Sequence, residues 1–185
     1  MKITKSRLVS LIKEVLKEAK ELVCPPATQS VELNTTNRNA TRDDHDYGPM
    51  NPLDESEGYW KLYAAKWPGA TPEEAKGMRC GNCIAFDISA RMRDCIPIAE
   101  EQYVPPGKEG EEIDLMDAAD AEMADKTAED FPGFPAEDAY VGFGYCWMHH
   151  FKCHSARSCD TWAGGGPIDK DEESKKWQKK SPFAD

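Results

Sequence analysis

The residues best equipped for chemistry are the cysteines. Cys80-Gly81-Asn82-Cys83 is a C-x-x-C turn, followed by Cys95 and then by Cys146, Cys153 and Cys159. A C-x-x-C turn brings two thiolates within reach of one metal centre, and further cysteines in the same chain supply the remaining ligands. The second group does not repeat C-x-x-C, as two zinc knuckles would; its gaps are six and five residues. Large aromatics interleave with it: Phe86, Tyr145, Trp147, Phe151 and Trp162. A bulky apolar shell suits an iron–sulfur cluster, whose potential depends on solvent exposure and on hydrogen bonds to sulfur.

Seven cysteines in 185 residues are too sparse for a disulfide scaffold. The opening Met1–Arg7 runs into Lys13 and Glu14 without an apolar stretch typical of a secretory signal. The expected compartment is therefore reducing, where spaced cysteines serve as metal ligands more often than as bridges. Asn34-Thr35-Thr36 and Asn39-Ala40-Thr41 then match the glycosylation pattern by chance. His149, His150 and His154 lie near Cys146 and Cys153, so a mixed Cys/His zinc site is the alternative. If 147–154 were helical, His149 and Cys153 would share a face, as would His150 and His154. No nucleophile motif or oxyanion loop accompanies Cys, His and Asp160, so the chain reads as a non-enzyme. Gly164-Gly165-Gly166-Pro167 lacks the Lys-Ser/Thr of a phosphate cradle and reads as a flexible exit.

The elements that must position these side chains are few. Hydrophobic residues are 39% and charged residues 31%, with a mean hydropathy of −0.70. That is a small core for the length. No apolar run approaches a membrane span. The net charge of −11 and pI of 4.9 argue against a nucleic-acid binder. Leu8, Leu11, Ile12, Val15, Ala19, Leu22 and Val23 predict an amphipathic helix over 4–23, stopped by Pro25-Pro26. Residues 25–58 read as an extended arm or loop. Ser56 and the face Trp60, Tyr63, Ala64 and Trp67 predict a helix over 56–67. Thr71-Pro72-Glu73-Glu74 is a capping box opening a second, ended by Gly77. Residues 100–138 carry 14 acids against Lys108 and Lys126 and read as an acidic insertion containing one helix. Residues 169–185 read as a tail.

Cys80-Gly81-Asn82-Cys83-Ile84-Ala85-Phe86 with Gly144-Tyr145-Cys146-Trp147 resembles the high-potential iron–sulfur proteins (HiPIPs). The resemblance covers 80–147 and is close at its two ends. It implies a [4Fe-4S] cluster on Cys80, Cys83, Cys95 and Cys146, with Asn82 and Tyr145 in matching positions. It also implies one-electron transfer and a fold held together mainly by its cluster. The gap from Cys95 to Cys146 holds 50 residues, longer than in that family, and Cys153 and Cys159 have no counterpart there. These two can replace Cys95, pair with each other, or remain thiols beside Trp162; Cys24 reads as an ordinary thiol. Asn82, Phe86, Tyr145, Trp147, Phe151 and Trp162 are expected around the ligands. More weakly, Lys2-Ile3-Thr4-Lys5-Ser6 leading into Leu8, Leu11 and Ile12 resembles the opening of many tailed-phage proteins.

The expectation is thus a small irregular α+β domain over 59–168, low in regular secondary structure and stabilised by its cluster. An N-terminal amphipathic helix (1–24) and an extended arm (25–58) precede it. The expected function is that of a phage structural or assembly protein, found in the virion or host cytoplasm. Its expected partners are other virion or assembly proteins, or copies of itself. The alternatives are a one-electron carrier and a zinc-knuckle interaction module.

Overall fold

The computed structural model describes residues 7–9, 23–53, 57–96, 126–131 and 140–181. It is a small mixed domain in which helices surround a three-stranded antiparallel sheet. The elements are α1 (Pro26–Gln29), α2 (Val31–His45), α3 (Glu57–Ala64), α4 (Pro72–Lys76), β1 (Phe86–Asp87), α5 (Ala90–Cys95), β2 (Phe143–Cys146), β3 (Phe151–His154) and α6 (Asp171–Lys180). The strand order is β1-β2-β3, with Phe86 opposite Cys146, and Cys146 opposite Phe151. All but residues 7–9 and 23 of the expected N-terminal helix lies outside the described residues. So does most of the acidic insertion, including its expected helix.

Strand alternation divides the core. Cys146, Phe151 and Cys153 turn to one face, where they meet Cys80, Cys83, Phe86, Tyr47 and Cys159. Tyr145 and Trp147 turn to the other, where they meet Met92, Cys95, Ile96, Ala27 and Ile168. Gly144 is required where the sheet crosses Phe86: a Cβ there would stand 2.5 Å from Phe86 Cζ and 2.8 Å from the Asp87 carbonyl oxygen. Asp87 is fully buried and accepts from the Ser89 N–H and from Trp147 Nε1. One carboxylate therefore fixes both the end of β1 and the first residue of the turn after β2.

The expected arm over 25–58 is corrected by α2, the longest helix among the described residues. Its apolar positions are too few to reveal it, because it is anchored by polar side chains. Ser30 caps its start by accepting from the Leu33 N–H at 3.2 Å, and Asp46 ends it in the left-handed conformation. The Asn34 side-chain oxygen accepts the Lys152 N–H at 2.7 Å, and Asn37 Nδ2 donates to the His150 carbonyl at 2.7 Å. The helix thus covers the edge of β3 and satisfies backbone groups that an open edge would leave unpaired.

The expected tail over 169–185 is also corrected: α6 packs against α5. Arg91 donates to Ser174 Oγ and Gln178 Oε1, its N–H reaches Asp171 Oδ1, and Trp177 packs against the core. The expected α3 and α4 are both present, and Thr71 and Glu74 form the capping box. Trp60, Tyr63, Ala64 and Ala75 pack them together, and the Arg79 guanidinium lies 4.6 Å over the Trp60 ring.

Candidate metal centre

The C-x-x-C segment folds as a 3-10 turn, Cys80–Asn82, whose backbone is tied to the far end of the chain. The Cys80 N–H donates to the Arg157 carbonyl at 2.7 Å, and the Gly81 N–H to Ser155 at 2.9 Å. Asn82 explains the third letter of the C-x-N-C pattern. Its Oδ1 accepts the Arg79 N–H at 3.1 Å and Trp162 Nε1 at 2.9 Å, while Nδ2 donates to the Gly77 carbonyl at 2.7 Å. One amide therefore closes the turn and aims the indole that walls the site. The glycine run is not a loose exit. Gly164 bridges to Cys83, the Gly166 N–H donates to the Asn82 carbonyl, and Gly166 packs so closely on the Cys83 carbonyl that a side chain has no room.

Five thiols line one cavity: Cys80, Cys83, Cys146, Cys153 and Cys159. Ala85, Phe86, Met148, Thr161 and Trp162 complete its wall. Among the described residues no carboxylate lines it. Two stretches that are distant in sequence converge here: 80–86, with the 3-10 turn, and 146–162, which runs from the end of β2 through β3 into the loop after it. That loop is held by Tyr63, whose hydroxyl donates to the Cys159 carbonyl at 2.8 Å while accepting from Ser158 Oγ.

Cys95 is not in this group. It forms a disulfide with Cys24 on the opposite face of the sheet, 71 positions apart in sequence. The expected four-ligand set is corrected at that member, and Cys24 is not a free thiol. Tyr145 and Trp147 are likewise corrected, because strand alternation turns them to the disulfide face. Asn82, Phe86, Phe151 and Trp162 stand on the thiol side as expected. Residues 147–154 are a turn and a strand rather than a helix, so His149 and Cys153 do not pair at helical spacing. Among the described residues, no group of three or more His, Cys, Asp or Glu side chains is arranged as around a single metal ion.

The electrostatics are those of buried thiols pressed together. Burial pushes Cys83 up to about 11, opposed by hydrogen bonds to its sulfur from the backbone of Ala163 and Ala85. Burial raises Cys159 well above the ordinary thiol range, against the Thr161 hydroxyl at 3.2 Å and the Thr161 backbone. Cys146 is lowered, first by its hydrogen bond with Cys153 and then by the backbone of His149 and Met148. Cys153 is raised, chiefly by burial. Amides pointing at sulfur favour thiolate, and burial without a counter-charge opposes it. A cation in such a cavity would supply that counter-charge, since metal coordination deprotonates thiols.

Beside the cavity lies a polar file. His45 Nδ1 meets Asp160 at 3.0 Å, and its ring lies tilted against that of His149 with centroids 4.6 Å apart; His149 Nε2 meets Thr161 Oγ1 at 2.6 Å and lies 3.9 Å from Cys159 Sγ. Burial, with the neighbouring His45, lowers His149 to about 4. Sequence reasoning missed Thr161 and Tyr63. Thr161, two residues after a cysteine, was legible as a thiol partner; Tyr63 reaches its target only through the packing of α3.

No family model, curated protein or solved structure matches the chain. Among the described residues no helix is long and apolar enough to cross a membrane.

Proposed function

We propose that this chain is a non-enzymatic metal-cluster protein. Four of the five clustered thiols, Cys80, Cys83 and Cys146 among them, hold one [4Fe-4S] centre. The observation that carries this reading is the convergence of five cysteines from two distant chain stretches on one aromatic-walled cavity that no carboxylate lines among the described residues. The same chain joins Cys24 to Cys95 in a disulfide and leaves these five thiols, four of them buried, unbridged. All-sulfur donors with backbone N–H groups directed at them suit iron–sulfur ligation. Each thiolate meets a different iron in such a cluster, so the sulfurs need not close on one point.

When bound, the group supplies one-electron chemistry. The chain's own residues ligate through sulfur, stabilise thiolate charge through the amides of Ala85, Met148, His149, Thr161 and Ala163, and exclude water with Phe86 and Trp162. The thiol cluster is also part of the core, and β1 is only two residues long. We therefore read the centre first as a structural tie within a phage-type assembly subunit, reached through its N-terminal segment. Electron transfer is the second role for the same cluster.

A single zinc ion is the competing reading. It is favoured by the cavity's volume of about 10 Å³, the room of one water-sized body, and by His149 beside Cys159. Cys80→Ser separates a metal centre from ordinary packing. Loss of bound metal with a lowered melting temperature is expected, and an unchanged melt contradicts both metal readings. Colour separates the metals, since zinc gives none. A reversible redox wave distinguishes a carrier from a purely structural tie.

A further inference from the structure

Five thiols face a centre that takes four, and the backbone distinguishes the fifth. Cys83, Cys146 and Cys159 each receive a hydrogen bond from the backbone two residues later: Ala85, Met148 and Thr161. Cys80 opens the turn that holds Cys83. Those three therefore sit where the chain turns around its own sulfur, and Cys80 shares the turn of one of them. Cys153 does neither. It lies within strand β3, opposite Gly144, with its backbone committed to the sheet ladder. It is also the most deeply placed of the four clustered thiols given an exposure, at 1% against 7% for Cys159 and 8% each for Cys80 and Cys83.

Its relation to Cys146 is equally specific. Cys146 stands opposite Phe151 and Cys153 opposite Gly144, so the two cysteines are diagonal neighbours on one face. Diagonal Cα atoms lie about 7–8 Å apart. That exceeds the span of about 4.4–6.8 Å that a disulfide bridges. The pair therefore meets through a hydrogen bond between sulfurs, and Cys153 meets the Cys80 sulfur in the same way.

Resting on the metal-centre reading above, we propose that Cys159 completes the ligand set with Cys80, Cys83 and Cys146. Cys153 is a non-ligating positioning residue that lies against the Cys146 and Cys80 sulfurs in the cavity and donates its S–H to one of these two ligands. A donor there withdraws charge from the ligand and favours the more negative, reduced state of a redox centre. In the loaded protein Cys153 is then the only S–H, because four cysteines are ligated and two are bridged.

The test compares the anaerobically purified full chain with Cys153→Ala, Cys153→Ser and Cys159→Ser. Metal content and the infrared S–H stretch are measured on each. The loaded wild type is expected to show a single S–H band, absent from Cys153→Ala, with full metal content in both Cys153 variants. Cys159→Ser is expected to lose metal. For an iron-loaded chain, Cys153→Ala moves the reduction potential down and Cys153→Ser, which keeps a donor, restores part of the shift. Metal lost from folded Cys153→Ala but kept by Cys159→Ser overturns the assignment, as does a loaded wild type without an S–H band. Absence of metal from the wild type instead defeats the underlying reading.

Discussion

Removing the disulfide with Cys24→Ala and Cys95→Ala separates stability from metal binding. The bridge joins positions 71 apart. In the chain-entropy account, closing a loop of that size restricts the unfolded state by about 4 kcal/mol. For a chain of this length each kcal/mol moves the melt by about 2–4 °C, so a fall of about 8–16 °C is expected. The thiol cavity lies on the other face of the sheet from Cys95, so metal content is expected to stay at the wild-type level. Calorimetry of the anaerobically purified chain reads the first quantity and elemental analysis the second. A thiol titration in denaturant after metal removal gives an independent count: five before reductant and seven after, in the wild type. A folded double variant that has lost its metal refutes the division of the cysteines into one bridge and one centre. A melt that does not move refutes the bridge.

Three further outcomes follow from named contacts. Asn82→Ala strands the Arg79 N–H and the Gly77 carbonyl while Trp162 Nε1 keeps the Arg79 carbonyl at 2.9 Å. A loss of about 1–3 kcal/mol is expected by denaturant titration, with faster metal release to a chelator. Gly144→Ala places a methyl against Phe86 and the Asp87 carbonyl, and is expected to cost at least about 3 kcal/mol or to abolish soluble expression. Thr71→Ala removes the N-cap of α4, remote from the thiols. It should cost about 1 kcal/mol in the melt and leave metal content unchanged.

The parts of the molecule legible in the sequence were those whose signal is local. The capping box at Thr71-Pro72-Glu73-Glu74 and the aromatic face of α3 announce their helices through neighbouring residues. The C-x-N-C turn announces itself by spacing, and its asparagine is now accounted for by three hydrogen bonds. Helix α2 was hidden because its anchoring residues, Asn34 and Asn37, are polar and find partners more than 100 positions away. A search for apolar periodicity passes over such a helix. The sorting of cysteines was hidden for a related reason. Cys95 stands at the end of a short helix on the disulfide face, and nothing in its neighbours records which face that is. Tyr145 and Trp147 flank Cys146 in sequence and lie across the sheet from its thiol, as strand alternation requires once β2 is recognised.

The central claim is that four of the five clustered thiols hold one [4Fe-4S] centre, and its most direct test is iron and acid-labile sulfide analysis of the wild-type chain purified without oxygen. The account predicts a coloured protein with about four irons and four sulfides per chain, the composition of the cluster. A colourless chain carrying one equivalent of zinc, or carrying no metal while its melt remains cooperative, contradicts it.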